Sequence, residues 1–141
     1  MSRSRIREHI FKILFSRDFQ SGLEAEKLCG TYFEEFCTDD ENESILSKEE
    51  MEYITGKVAD IISKISEADE AISAVSIGWT INRMAKTDLA ILRLSYHEIK
   101  YEDDIPDRVS INEAVNLAKK YGTDSSGSFV NGILAKFVNA Q

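Results

Sequence analysis

Side chains that could perform catalysis or hold a metal are few and scattered in this sequence. His97-Glu98 resembles the start of a zinc-binding His-Glu-x-x-His helix, but Tyr101 stands where the second histidine would be, so such a site cannot close. The other histidine, His9, stands alone near Arg5 and Arg7, and a lone helical histidine is more often a surface or capping residue than a ligand. The sequence has no Walker loop, no dinucleotide-binding glycine motif and no nucleophile elbow. We therefore predict no metal, no cofactor and no enzyme.

The two cysteines, Cys29 and Cys37, are predicted to be small core residues rather than a reactive pair. Eight residues apart on one predicted helix, they would be separated by about 12 Å at a rise of 1.5 Å per residue. That separation is beyond the reach of a disulfide or a shared metal. Two cysteines in 141 residues also exclude a disulfide framework, which favours a reducing cytoplasm.

Charge is distributed unevenly, and the distribution indicates one candidate binding surface. Residues 1–17 contain five basic residues and one acidic residue. Residues 34–52 contain nine acidic residues and one basic residue, so this segment alone carries the formal net charge of −8. A basic end on an otherwise acidic chain is a recognised sign of contact with a polyanion.

Three of the four arginines in residues 1–17 cluster at the start of that segment: Arg3, Arg5 and Arg7. On a helical wheel, Arg5 and His9 share the face opposite the apolar residues, whereas Arg3 and Arg7 fall on the apolar side. We therefore expect Arg3 and Arg7 at or before the first helical turn, clear of the core. Positive charge at a helix N-terminus opposes the helix dipole and brings no local structural benefit. Two interpretations stay open: a solvated helix start, or arginine forks that grip phosphates or stack on bases.

Two further residues have both a structural and a functional interpretation. Phe11 and Phe15 lie at one edge of the first helix's apolar arc and widen it to about 200°. Either that helix is deeply buried or this edge serves a partner. Asp88 stands at the start of a predicted buried helix, where a carboxylate stabilises the N-terminus, and capping is the simpler interpretation.

The elements that must position these residues are all predicted to be helices. Capping boxes of the form Ser-x-x-Glu, in which the two side chains satisfy free backbone N–H groups, occur at Ser21–Glu24, Ser47–Glu50 and Ser110–Glu113. Apolar residues recur at helical spacing after these starts, and no alternating strand pattern competes. We predict an all-α, compact bundle of about seven helices.

Two helices matter most for the candidate surfaces. The first is predicted from about Arg5 to Phe19. The central one is predicted over Asp88–Tyr101 and is apolar on nearly all sides, which is typical of a buried helix. In the second predicted helix, the spacing of Tyr32 and Phe36 predicts that both rings face the core.

Length and composition are consistent with one domain covering residues 1–141. Its N-terminal helices are expected over about residues 3–65 and its C-terminal helices over about residues 67–139. The apolar fraction of 43% and charged fraction of 30% are those of an ordinary globular protein. The longest apolar stretches, such as Leu89–Leu92, are far shorter than the ~18 residues that a membrane span needs.

Several segments of the chain together resemble one known family. They are Arg3-x-Arg5-x-Arg7-Glu8; Trp79-x-x-x-Arg83; Asp88-Leu89-Ala90-Ile91-Leu92-Arg93-Leu94; Ser110-Ile111-Asn112-Glu113-Ala114; and Phe129-Val130-Asn131-Gly132-Ile133-Leu134. The pattern is similar to that of the NusB family. It covers both ends and about the whole C-terminal half, whereas residues 20–65 match in pattern only.

The resemblance implies a fold, partners and site residues. It implies two packed helical sub-bundles and an RNA-binding transcription antitermination factor. The implied partners are boxA-type RNA, NusE (a small-subunit ribosomal protein) and the RNA polymerase elongation complex with other Nus factors, acting in ribosomal RNA operons. By position, Arg3, Arg5 and Arg7 would contact RNA, whereas Phe15 and Asp88 would lie on the NusE-facing surface.

Other parts of the resemblance are expected to serve the fold, and some positions depart from it. Asn112 and Asn131 are expected to bond to backbone at tight helix junctions. Gly132 is expected to mark a close helix–helix approach, because glycine costs about 1 kcal/mol in a helix interior. Ser125 and Ser128 stand where the family commonly has an acidic and a basic residue, which weakens any phosphate role for that loop.

Alternative functions give different expectations. A NusB-like domain of an RNA cytosine methyltransferase would need a following Rossmann domain with a glycine-rich loop, and the sequence contains none. A stand-alone NusB-like helical module that binds RNA or protein in another context is the alternative, and a purely protein-binding module would fit the charge of −8 equally well. If the leading hypothesis holds, replacing Arg3, Arg5 and Arg7 together by alanine should weaken RNA binding and leave the fold intact.

Overall fold

Seven α-helices account for most of the chain in the computed structural model, which describes residues 2–20, 22–36 and 46–139. A single 3₁₀ turn at Ile81–Arg83 precedes α5, and no strand occurs in these described ranges. The helices are α1 (Arg3–Arg17), α2 (Ala25–Phe36), α3 (Lys48–Ser63), α4 (Ile65–Val75), α5 (Lys86–Tyr101), α6 (Asp107–Tyr121) and α7 (Ser126–Asn139). The prediction of an all-α fold of about seven helices is confirmed.

The chain divides into two compact units, unit 1 (Met1–Ser63) and unit 2 (Lys64–Gln141). The boundary falls at the break between α3 and α4. No described helix is both long enough and apolar enough to cross a bilayer. Ser21 of the capping box predicted at Ser21–Glu24, the residue Cys37 and residues 38–45 of the acidic segment lie outside the described residues.

Unit 1 is built from α1, α2 and α3, each of which contacts the other two. Helix α1 begins two residues earlier than predicted because Ser2 caps it, its side chain accepting a hydrogen bond from Arg5 N at 3.2 Å. The capping box predicted at the start of α3 is confirmed: Ser47 N donates to Glu50 Oε1 at 2.9 Å, and Glu50 N donates to Ser47 Oγ at 3.0 Å.

The centre of unit 2 is α5, which contacts α4, α6 and α7. Every residue from Asp88 to Glu98 is buried, so the prediction of a helix buried on all sides is confirmed. A bidentate pair, Arg93 Nε and Nη2 to the two carboxylate oxygens of Asp69 at 2.9 Å each, ties α5 to α4. Glu67 of α4 accepts a further bond from Tyr96 Oη at 3.0 Å.

Helix α6 starts earlier than the sequence pattern predicted. It begins at Asp107, directly after Pro106, whereas the capping box had been predicted at Ser110–Glu113. Ser110 is fully buried within the helix and its N–H already donates to Pro106 O at 3.2 Å, so it cannot act as a cap. The prediction of a helix start at Ser110 was wrong because Pro106, a residue type that favours helix starts, already begins the helix at Asp107, three residues earlier.

The turn between α6 and α7 requires a glycine at Gly122. A Cβ there would lie 2.8 Å from the carbonyl oxygen of Ala118 and 2.6 Å from Cβ of Ser126. Ser126 itself accepts a hydrogen bond from Thr123 N at 2.9 Å, which closes the turn before α7. By contrast, a Cβ at Gly132 would meet nothing within 4 Å, so the close helix approach predicted there is wrong. Asn112 and Asn131, which were expected to bond to backbone at tight helix junctions, are both exposed.

Candidate nucleic-acid and partner surfaces

The first turn of α1 presents Arg3 and Arg5 to solvent. Both side chains are exposed, and the turn contains no acidic residue. Arg5 contributes only its backbone N–H to the Ser2 cap, so its guanidinium is not used in starting the helix. The arrangement leaves two cationic forks at a helix start, a chemistry suited to gripping phosphate oxygens.

Arg7 differs from the other two arginines, and its expected position was wrong. It is only 6% exposed, although the sequence placed it clear of the core. Because Ser2 starts α1 early, Arg7 falls in the second turn. There it shares a side of the helix with buried Ile10 and Leu14, three and seven residues further on.

His9 is also buried rather than on the solvent face. Its Nδ1 lies 2.6 Å from the hydroxyl of Tyr32 on α2, and the two rings meet edge to face at 5.8 Å. Burial lowers the pKa of His9 below its usual 6.5, and the nearby Lys12 and Arg5 lower it further, against the opposing influence of Glu8 and Glu50. The neutral imidazole is therefore the form that this packing of α1 on α2 favours.

The lowered pKa of His9 predicts a loss of stability in mild acid. In the unfolded chain His9 binds a proton near pH 6.5, whereas in the folded chain it binds one only at a lower pH. Protonation of His9 therefore favours the unfolded state as the pH falls below about 6.5. Urea unfolding of the wild type and of His9→Gln at about pH 7.5 and about pH 5.5 measures this effect. The wild type should lose more stability than the variant over this interval. Equal losses would show that His9 is not responsible.

An aromatic ladder runs along α1 from the core to the surface. Phe11 is 3% exposed, Phe15 is partly buried, and Phe19, just beyond the helix, is 65% exposed. The ring centroids lie 6.2 Å apart for Phe11 and Phe15 and 5.1 Å apart for Phe15 and Phe19. The outer two rings form an apolar edge that solvent reaches, which is the kind of surface that protein interfaces favour.

Asp88 lies in the first turn of α5, in unit 2, and is 8% exposed. Its Oδ1 is buried and has no hydrogen-bond partner among the described residues. An acceptor left in this state costs free energy, so capping alone does not account for Asp88. The helix dipole still favours a carboxylate at this position.

Phe36 is the surface residue that the sequence pattern placed wrongly. Its spacing from Tyr32 predicted an inward ring, but Phe36 is 56% exposed at the end of α2, with its ring centroid 5.2 Å from that of Tyr32. The wrong prediction arose because Tyr32 and Phe33 already fill the core side of α2 at this end. The sequence does contain a signal for this exposure. Tyr32, Phe33 and Phe36 are more aromatic rings than one face of a helix can bury.

Groups suited to metal binding or nucleophilic chemistry do not cluster in the described part of the chain. No set of three or more histidine, cysteine or acidic side chains lies close enough there to hold an ion. Cys29 is a buried free thiol in α2, and burial raises its pKa to about 11, which makes it a poor nucleophile.

Comparison with known proteins gives one consistent family. The family model described as the NusB family matches residues 4–139. A protein of Agathobacter rectalis named transcription antitermination protein NusB is 52% identical over 138 residues, which cover 97% of this chain and 99% of that protein.

Solved structures agree with the sequence comparison. Thermotoga maritima NusB superposes with a TM-score of 0.85 at 33% identity, covering 99% of this chain and 92% of that one. A chain from a crystal structure of the antitermination factors NusB and NusE in complex with dsRNA superposes with a TM-score of 0.78 at 27% identity, covering 100% of both chains. From its sequence and its fold alike, this chain belongs to the NusB family.

Proposed function

We propose that this protein is a transcription antitermination factor that binds boxA-type RNA together with the ribosomal protein NusE and supports read-through in ribosomal RNA operons. The observation that carries the proposal is 52% identity, over nearly the whole of both chains, to a protein named for antitermination. The superposition on a chain from a NusB–NusE–dsRNA complex supports the two partners. The factor acts in the cytoplasm, within the RNA polymerase elongation complex and alongside other Nus factors.

The proposed RNA contacts start from Arg3, Arg5 and Arg7. The exposure of Arg3 and Arg5 supports direct phosphate contacts by these two residues. Arg7 is 6% exposed, so its contribution is mainly its charge beneath this surface and its packing in α1. The role is one of binding rather than catalysis.

The proposed NusE contacts are Phe15 and Asp88. The partly exposed ring of Phe15, next to the exposed Phe19, supports an apolar contact on unit 1. The unfilled acceptor of Asp88 supports a polar contact on unit 2, since a donor from the partner would satisfy it.

The test of the proposal is the RNA affinity of the chain with and without NusE. A few exposed arginines neutralise few phosphates, and non-specific binding of that kind has a Kd of about 10⁻⁴–10⁻⁶ M. Specific recognition of a single strand needs stacking and base-edge contacts in addition, part of which we expect NusE to supply. Fluorescence anisotropy with labelled boxA-type RNA, at one salt concentration, should therefore give tighter binding by the complex.

A scrambled RNA of equal length is the control for this measurement. The gain on adding NusE should be larger for the boxA-type RNA than for the scrambled one. Equal boxA affinity for the isolated chain and for its NusE complex would contradict the proposal.

A further inference from the structure

We propose that Phe36 is a base-stacking residue and that it forms, with Arg5, a site for one nucleotide of single-stranded RNA on unit 1. The inference rests on the proposed function, in which the first turn of α1 contacts RNA. It adds a residue that neither the basic run nor the family pattern singled out.

The connection between α1 and α2 is too short for the two helices to run parallel. Turn hydrogen bonds continue the helical path of α1 to Gln20, and α2 already opens with a bond from Leu28 N to Glu24 O. Only residues 21–23 remain to join them. At about 3.4 Å per residue these cannot span the length of α1, about 22 Å, as a parallel arrangement would require.

The hydrogen bond between His9 and Tyr32 then sets the register of the two helices. One turn before His9 on α1 is Arg5, and one turn after Tyr32 on α2 is Phe36. Arg5 and Phe36 therefore each lie one turn, about 6 Å along their helix, from the contact between His9 and Tyr32.

Phe36 has the exposure that stacking requires. Its side chain is 56% exposed, and one side of its ring is supported by Tyr32, whose hydroxyl is held at His9. Tyr32 is buried, so the ring behind Phe36 is fixed by the core. A supported aromatic ring with an open side and a guanidinium one turn from the same His9–Tyr32 contact together provide the two chemistries by which proteins hold a single-stranded nucleotide.

The charge around Phe36 is mixed, so a ligand other than RNA also has to be considered for this site. Glu35 and Glu34 precede Phe36 on α2, at about 100° and 200° from it around the helix, so neither shares its direction. More acidic residues follow at positions 39–43, outside the described residues. A basic protein segment is therefore the alternative to RNA. We favour RNA because the exposed charges of the first turn of α1, Arg3 and Arg5, are both positive.

The test compares Phe36→Leu with Phe36→Tyr in binding a short single-stranded boxA-type RNA without NusE. Leucine keeps an apolar side chain but removes the aromatic face, so RNA affinity should fall about five- to a hundredfold, the range that loss of one stacked base produces. Tyrosine should keep most of the affinity. Because Phe36 contacts no phosphate in this proposal, the dependence of affinity on salt should not change in either variant.

Two controls keep this result separate from the proposed function. Tyr53→Leu removes a comparably exposed aromatic ring from α3 of the same unit and should leave RNA affinity unchanged. Arg3→Ala combined with Arg5→Ala tests the RNA surface itself. If that double variant loses affinity and Phe36→Leu does not, the stacking proposal is wrong and the RNA surface stands. If neither loses affinity, the RNA surface on α1 is wrong as well. If Phe36→Leu weakens only NusE binding, the site takes protein and the stacking proposal is overturned.

Discussion

Replacing Phe15 by aspartate is expected to weaken NusE binding by roughly thirtyfold or more, the effect of losing an interface residue that contributes about 2 kcal/mol. The change puts a charge into the apolar edge that Phe15 forms with Phe19. Because Phe15 is only partly buried, the folded chain can turn the aspartate to water. In the complex with NusE, by contrast, the aspartate can reach water only if a gap opens in the interface. Isothermal titration calorimetry with NusE measures the loss, and circular dichroism checks that the helices persist.

Two further variants decide what the Phe15→Asp result means. Ile13 lies two residues away on α1 and is 0% exposed, so Ile13→Asp should unfold the protein and define the signature of core damage. Tyr53→Asp adds the same charge at an exposed aromatic residue of α3 and should leave NusE binding unchanged. Loss of helix content in Phe15→Asp at room temperature would show that Phe15 belongs to the core, and the partner assignment would fail.

Replacing Arg3 and Arg5 together by alanine is expected to weaken RNA binding at least tenfold at low salt. Hydrogen bonds to charged groups contribute about 1.5 kcal/mol or more each, and both guanidinium groups are exposed. The slope of log affinity against log salt should become shallower by about 1.4, since each phosphate contact to a single strand contributes about 0.7. Thermal stability should change little, because only the backbone of Arg5 takes part in the helix cap.

Arg7→Ala provides the contrast to this double variant. Its side chain is buried, so the substitution should lower the melting temperature, and the triple alanine variant would mix a folding defect with a binding defect. An unchanged salt slope in the double variant would contradict the assignment of Arg3 and Arg5 to RNA. A lower melting temperature in that variant would instead show that these two arginines are structural.

Local sequence signals predicted the features of the fold that depend on only a few neighbouring residues. The capping box at Ser47–Glu50 and the continuous burial of α5 were both predicted, because each follows from residue types within one or two helical turns. The box at Ser110–Glu113 failed because the same four-residue pattern can also lie inside a helix that a proline has already started. A capping pattern is thus informative only where no earlier start competes.

The candidate surfaces were predicted less well because they depend on helix phase and on a second helix. A shift of two residues in the start of α1, caused by the Ser2 cap, moved Arg7 from the expected surface into the second turn and the core. His9 and Phe36 depend on how α2 lies against α1, which no local pattern specifies. The sequence therefore predicted which end of the chain is basic. It did not predict which of the basic side chains reach solvent.

Burial of every residue from Asp88 to Glu98 makes α5 the part of unit 2 that should open last. Its backbone amides can exchange with deuterium only when the neighbouring helices α4, α6 and α7 have come away from it, so their exchange rates report the free energy of opening the whole unit. A partner that binds only the folded state slows exchange throughout such a helix, including at positions it never touches. Deuterium exchange of the α5 amides thus reports partner affinity without an attached probe and without a substitution at the surface.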